Sequence, residues 1–419
     1  MSSLTAAVDR GGLFGWWQAG STEARRALVA AALGWMLDSF DVMLYALVLA
    51  SLMLDLNIGK DVAGLLGSAT LVASAFGGMI FGVVADRYGR TRALMGSILI
   101  YSVFTAACGL AQTVWQLAVF RMLLGIGMGG EWASGAALVS ETWPDEHRGK
   151  ALGFMQSSWA IGYALAAIVT WLVLPVGGWR AVFFVGVLPA FLTLWVRRAV
   201  REPQIWQRTR AGDGAAAARI GDIFRGSMLR TTLAVTIMNA CTMFGWWGFN
   251  LWLPGYLSLP TSAGGQGFSA GTMTGFIVAM QVGMWFGYVT FGFIADGIGR
   301  KRAYVLYTLT AAVLIFLYIS LREPIALLLL GPFVAFFATG YFSGFGAVTA
   351  EIYPTAIRAT AQGFTYNIGR IASAAAPFAV GSLAQTRGFQ AALSLTSVAF
   401  LLAAVSWAFI PETKGRNLQ

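Results

Sequence analysis

Long apolar stretches separated by short polar breaks dominate this chain. A helix needs ~20 apolar residues to cross the hydrocarbon of a bilayer. Windows of that kind fall at 27–52, 63–84, 93–112, 115–139, 150–174, 178–198, 230–257, 270–294, 303–321, 325–350, 359–384 and 389–410. The pattern predicts twelve spanning helices, numbered here in chain order. The longest polar break, at 199–229, is basic and contains runs of Ala and Gly. It predicts an N-terminal six-helix bundle over 1–198, a linker over 199–229 and a second six-helix bundle over 230–419. The first 26 residues lack a charged leader followed by a short apolar core and a small-residue cleavage site, so span 1 is expected to stay in the mature protein.

The two halves repeat at a constant offset of 210. Gly82, Ala85, Asp86, Gly89, Arg90, Arg92 and Ala93 return as Gly292, Ala295, Asp296, Gly299, Arg300, Arg302 and Ala303. Glu141, Pro144, Arg148, Gly153 and Phe154 return as Glu351, Pro354, Arg358, Gly363 and Phe364, and Glu202 returns as Glu412. A register held without a gap means two copies of one unit, parallel because each unit has an even number of spans.

Composition narrows the class. Of 419 residues, 58% are hydrophobic and 11% charged, against ~25% charged in soluble domains. A soluble enzyme and a disordered chain are both excluded. The net charge of +10 is a topology signal: with the N-terminus cytoplasmic, 22 of the 28 Lys and Arg fall on that side. Both termini are therefore expected in the cytoplasm, with membrane lipid as the surroundings and no nucleic acid as partner. Cys108 and Cys241 lie in separate apolar runs, which implies no disulfide framework. The lone histidine, His147, sits in a polar connector, leaving no His-based metal site or triad, and no cofactor is expected. No nucleophile and base occur at useful spacing, so the chain does not read as an enzyme.

Several motifs resemble those of a known family. GVVADRYGRTRA (82–93) and GFIADGIGRKRA (292–303) look like the cytoplasmic signature between spans 2–3 and 8–9 of the major facilitator superfamily. FRMLLGIGMGG (120–130) is similar to its span-4 signature, and REP (201–203) and PETKG (411–415) resemble its half-end motifs. The likeness covers the whole chain. LGWMLDSFDVMLYALVL (33–49), GGEWASGAALVSETWP (129–144) and GWRAVFFVGVLPAFLTLWVRR (178–198) look most like the sialate:proton symporters and the neighbouring aromatic-acid:proton symporters. The resemblance implies an all-α membrane protein of two pseudo-symmetric six-helix bundles, with spans 1, 4, 7 and 10 around a central cavity.

Five charged residues fall inside spans: Asp38, Asp41, Arg121, Glu131 and Arg370. At roughly 2.5–3.5 kcal/mol each they would cost on the order of 12–18 kcal/mol unpaired. They must be paired, wet or switching protonation. Asp38 and Asp41 are three apart, on neighbouring positions of one helix face. With the spans arranged as the resemblance implies, they can meet Arg121 and Glu131 of span 4. Desolvation raises a carboxyl pKa and a nearby arginine lowers it, so a carboxyl whose distance to Arg121 changes between conformations can load and release a proton. The expected proton-coupling set is Asp41 with Arg121, with Asp38 or Glu131 as accessory; the alternative is that Asp38 and Glu131 tie helices together by hydrogen bonds.

Arg370 lies mid-span in GFTYNIGRIASAAAP (363–377). Its guanidinium cannot shed its charge and forks onto carboxylates. It reads as the receptor for an anionic substrate, the rival being a permanent salt bridge to Asp38 or Glu131. Tyr366, Asn367, Gln156, Asn239, Trp246, Trp247, Asn250 and Gln281 are the candidate pocket walls.

Asp86, Arg90, Glu141 and Arg148, with Asp296, Arg300, Glu351 and Arg358, fall at span ends. The resemblance implies charge networks closing the cytoplasmic mouth; topology anchoring is the plainer reading. GIGMGG (125–130) fits a dinucleotide-binding pattern but lies inside an apolar helical run with no preceding strand, so it reads as helix packing.

The expected function is a proton-coupled symporter of the plasma (inner) membrane. It would act as a monomer and import a small organic anion, a monocarboxylate or acidic sugar, by alternating access. A neutral sugar or polyol symporter is supported by PETKG and opposed by Arg370. A proton-driven drug exporter is weakened because QSSWAIGYALAAIV (156–169) lacks the Gly-Pro bend of such exporters. A nutrient receptor without transport is the reading from a different class.

Overall fold

The computed structural model describes residues 15–203, 223–224, 226–353 and 355–414, and the regular structure among them is helical. Most of the 199–229 linker and the side chains of Asp86 and Arg358 lie outside the described residues. Spans 1 to 4 are the helices Thr22–Asp55, Lys60–Tyr88, Arg90–Cys108 and Val114–Thr142. Ser21 starts span 1 by accepting the Ala24 N–H at 3.0 Å, and Thr113 caps span 4 in the same way. Spans 7 to 9 are Ser227–Ser258, Ala270–Ile298 and Arg300–Ser320. Span 10 is Pro324–Thr339, continued through a 3-10 segment Gly340–Gly344 into Phe345–Ile352.

The remaining spans share helices. Asp145–Val185 bends at Gly178 (φ 69, ψ −177), so it carries span 5 and the start of span 6, which Leu188–Phe191 and Leu192–Ala199 complete. Span 11 is Thr355–Ser373 and the start of Ala375–Ser406, which bends at Gly388 (φ 80, ψ 167) into span 12. Among the described residues, nine segments are long and apolar enough to cross a membrane. Two of these pass through the Gly178 and Gly388 bends and hold two crossings each, and the 32-residue helix Ser227–Ser258, outside those nine, is long enough for one more. Twelve crossings result. The two bends are themselves 210 residues apart, and both need the positive φ that glycine adopts without strain.

Lipid gives helices no hydrophobic reason to associate, so close backbone approach carries the packing. In the first half the GIGMGG segment does this: Gly125 and Gly129 lie against the Thr70 and Ser74 carbonyls of span 2. In the second half Gly287 of span 8 lies against Phe336 of span 10, the counterpart of Gly77 against Ile126.

Odd-numbered spans run from the end bearing residues 15 and 414, here the terminal end, to the opposite, distal end. The halves meet where span 2 packs on 11, span 5 on 8 and span 1 on 7. Hydrogen bonds between them gather on the distal side. Tyr163 donates to the Asn250 carbonyl at 3.3 Å, Thr274 to that of Ala167 at 3.3 Å, and the Phe378 N–H to Ser68 at 3.1 Å. Lys60, 8% exposed, is the strongest link: its Nζ donates to Ala263 O at 2.7 Å and Ala384 O at 3.4 Å and sits 4.8 Å from the Phe389 ring centroid.

Candidate functional site

A cavity of ≈ 40 Å³ lies at mid-depth between the halves. Its walls are Trp35 of span 1, Gln156 and Trp159 of span 5, Met243, Trp246 and Trp247 of span 7, Tyr288 of span 8, Phe342 of span 10, and Tyr366 and Arg370 of span 11. That volume holds a few waters, so an organic solute requires the halves to part. The walls are mostly aromatic faces, with one fixed cation.

Arg370 is 4% exposed, and its guanidinium has no hydrogen-bond or ion-pair partner among the described residues. Asp38, across the interface on span 1, is its electrostatic neighbour without closing on it. The permanent salt bridge considered above is therefore not formed to either Asp38 or Glu131.

The three in-span acids are 0–1% exposed, and all six of their carboxyl oxygens lack a hydrogen-bond partner. Gly34 explains where Glu131 goes: a Cβ there would come within 2.5 Å of Glu131 Oε1, so the missing side chain leaves room for the carboxyl. Asp38 follows one turn later on the same face of span 1, which sets these two acids side by side. Tyr101 of span 3 donates to the Gly34 carbonyl at 3.3 Å and borders the same cluster. Asp41 faces away, toward Thr105 and Cys108 of span 3.

Arg121 stacks 3.6 Å from the Tyr45 ring centroid, one turn beyond Asp41, and two of its nitrogens lack hydrogen-bond partners. Cation–π contact with a desolvated ring is worth ~2 kcal/mol, which partly offsets the burial of this charge. No ion pair joins Arg121 to Asp41. The pairing expected from sequence and the proximity found in space differ: Asp38, rather than Asp41, is the acid beside an arginine of the cavity.

Of the candidate walls, Arg370, Tyr366, Gln156, Trp246 and Trp247 line the cavity, and Asn239, Asn250, Gln281 and Asn367 do not. Asn250 donates to the Trp246 carbonyl at 3.1 Å and Asn367 to that of Gly363 at 2.9 Å, each within its own helix. Asn239 is fully buried against Gly369, and Gln281 is buried within span 8. Trp35, Trp159, Met243, Tyr288 and Phe342 line the cavity without having been singled out, because aromatic and Met side chains are too common in apolar spans to signal a pocket alone. Trp35 did carry a signal, lying three residues from Asp38.

At the terminal end the charged residues form ties within each half. Arg90 donates to Glu141 at 2.8 Å, and Arg300 donates to Glu351 at 3.1 Å and to Asp296. Glu202 accepts the Thr91 and Arg92 N–H groups at 3.1 and 3.2 Å, and Glu412 accepts those of Arg300 and Lys301 at 2.9 and 3.2 Å. The half-end glutamates thus cap the N-termini of spans 3 and 9, where a carboxylate is favoured by the helix dipole. Arg148 lies in the first turn of span 5.

This is a polytopic α-helical membrane protein with a central cavity between two six-helix halves. The family model described as Major Facilitator Superfamily matches residues 31–288 and 235–418, and the chain belongs to that family. It is 31% identical to the sialic acid transporter NanX of Escherichia coli, covering 92% of this chain and 93% of that one. It is 32% identical to a cis,cis-muconate transport protein of Acinetobacter baylyi, over 87% of this chain and 89% of that one. Its fold matches that of the xylose transporter XylE from E. coli in an inward open conformation, with TM-score 0.75, 21% identity, and coverage of 93% of this chain and 97% of that one.

Proposed function

We propose that this protein is a proton-coupled symporter of the inner membrane, with both termini cytoplasmic, that imports a small organic anion by alternating access. The observation that carries the proposal is Arg370: a permanent cation on the cavity wall, buried, whose guanidinium has no partner among the described residues. Relatives named as carriers of sialic acid and of cis,cis-muconate support a carboxylate as the group it receives. The surrounding aromatic rings favour a flat, conjugated monocarboxylate over a polyol, because offset and edge contacts bind π-faces.

Charge arithmetic supplies the coupling. Three acids and two arginines lie in the spans, so with all five ionised the sum is −1. One proton on the acids makes the empty carrier neutral, with Asp38 ionised opposite Arg370. An arriving carboxylate occupies Arg370 and leaves Asp38 uncompensated, and a second proton, on Asp38, restores neutrality. A half-loaded carrier traps one charge, which costs ~2.5–3.5 kcal/mol and slows the rocking step about a hundredfold. Full and empty carriers move; half-loaded ones stall. Glu131, side by side with Asp38, is placed to hold the resident proton, while Asp41 and Arg121 stay within the first half.

The test is uptake of labelled benzoate, nicotinate, sialate and xylose into proteoliposomes with an imposed pH gradient. One or more of the carboxylates accumulates in response to the gradient and xylose does not. Gradient-driven xylose uptake by the native chain that persists undiminished in Arg370→Ala would falsify the anion reading.

A further inference from the structure

We infer that Trp132 and Tyr366 form the gate through which the anion passes between the cavity and the terminal face of the protein. The inference rests on the transport function proposed above, and the site lies one turn below its anion receptor. The two rings belong to different halves, Trp132 to span 4 and Tyr366 to span 11, and they stack face to face with centroids 4.4 Å apart and planes 3° from parallel. Tyr366 lines the cavity and precedes Arg370 by four residues, so both side chains share one face of span 11. The tyrosine sits on the terminal side of the guanidinium. Trp132 directly follows Glu131, whose carboxyl adjoins Asp38. The ring stack therefore joins the helix that bears a proton-site acid to the helix that bears the anion receptor.

Different chemistry stands at the two ends of the cavity. Toward the distal face stand Lys60 on two carbonyls and the Tyr163, Thr274 and Ser68 hydrogen bonds, all between halves. Toward the terminal face stands this stack, with the Phe345 ring set edge-on to Tyr366 at 5.9 Å and Gln156 beside Tyr288. Neither ring is fully buried. A stack of two flat rings has no directional bond to break, so a shift of span 4 against span 11 slides one ring off the other. An anion leaving Arg370 toward the terminal face meets the Tyr366 ring one turn away.

The test reads access without needing a substrate. Cys108 and Cys241 are replaced by Ala and Ser, Met243→Cys places a thiol on the cavity wall, and a membrane-impermeant maleimide is applied to either face of oriented vesicles. Trp132→Ala and Tyr366→Leu are each expected to raise the labelling rate from the terminal face about two- to tenfold, the equivalent of one lost ring pair, and to leave the distal rate unchanged. Trp132→Phe, which keeps a ring, stays near the parent rate. An unchanged terminal rate in both Trp132→Ala and Tyr366→Leu overturns the gate, and so does an equal rise from both faces. Benzoate uptake by the native chain is measured in parallel. Its absence alongside a one-sided labelling response rejects benzoate as cargo while the gate stands.

Discussion

The two halves share a scaffold and differ in their in-span charge. Whatever holds a half together recurs at the 210-residue offset: the Gly178 and Gly388 bends, the Arg90–Glu141 and Arg300–Glu351 pairs, and the Glu202 and Glu412 caps. None of the charges inside the spans recurs. Asp38 faces Gly248 in the repeat, Asp41 Leu251, Arg121 Gly331, Glu131 Tyr341, and Arg370 Ala160. Repetition marks what builds the fold, since both halves face the same packing problem. Its interruption is where the proposed chemistry lies: the three acids and Arg121 sit in the first half, Arg370, the proposed receptor, is the in-span charge of the second, and Asp38 faces it across the interface between the halves.

The sharpest way to break this asymmetry is to remove its isolated member. Truncating one partner of a desolvated charge pair costs ~2–5 kcal/mol, so Arg370→Ala is expected to lower carboxylate uptake by about 30- to several-thousand-fold. Arg370→Lys keeps the charge without the planar fork and falls between the two. Uptake rates against carboxylate concentration in proteoliposomes measure both.

Asp38→Asn attacks the opposite face. For one proton per anion, accumulation at equilibrium follows the gradient, about tenfold per pH unit. Asp38→Asn is expected to flatten that dependence while exchange of labelled for unlabelled anion continues, because a neutral Asn imitates the protonated acid. A gradient response that persists in Asp38→Asn and disappears in Glu131→Gln transfers the proton site to Glu131; disappearance only in Asp41→Asn restores the pairing suggested by sequence.

The sequence made the helices legible because each apolar window is a local property. It placed Gly388 in a break between windows and Gly178 at the very start of one, without marking either as a bend, since a bend at a single glycine leaves the hydrogen-bonded run nearly intact. The in-span charges were equally legible from their cost in lipid. Their partners were not. Asp38 and Asp41 are equivalent by spacing, and only their neighbours on other helices decide between them, with Thr105 and Cys108 of span 3 behind Asp41 and Arg370 of span 11 in front of Asp38. Trp132 was hidden for the same reason, since its stacking partner lies 234 residues away in the other half.

Lys60 sharpens the comparison at the distal face, where it too departs from the repeat, Ala270 standing at its counterpart. A cation in the first turn of a helix opposes the dipole of that helix. Lys60 instead satisfies the carbonyl of Ala384 near the Gly388 bend, together with that of Ala263. A charged hydrogen bond contributes ~1.5–3 kcal/mol. Lys60→Met is accordingly expected to raise maleimide labelling of Met243→Cys from the distal face about tenfold or more, without the terminal-face rise that Trp132→Ala gives. Labelling that rises from the terminal face instead would show that Lys60 does not hold the distal side.

The smallest effect belongs to the repeated scaffold, at Glu412. Burial pushes its carboxyl pKa up, but N–H donors from Lys414, Arg300, Thr413 and Lys301 outweigh that and hold it below the ordinary glutamate value. A carboxyl with a lowered folded-state pKa contributes stability that is complete above the ordinary value and is lost as pH falls through the lowered one. The group is largely solvent-facing, which limits the contribution to under ~1 kcal/mol. Glu412→Gln is expected to lower the apparent melting temperature in detergent by a few degrees at most at neutral pH, and the gap should close on acidification past the folded-state pKa. Melting followed by intrinsic fluorescence at neutral and acidic pH measures it. Anion uptake at neutral pH should be unaffected, because the cap serves the span-8 to span-9 turn and lies away from the cavity; an uptake loss comparable to that of Arg370→Ala would mean that the scaffold and the transport machinery are not separable as the repeat suggests.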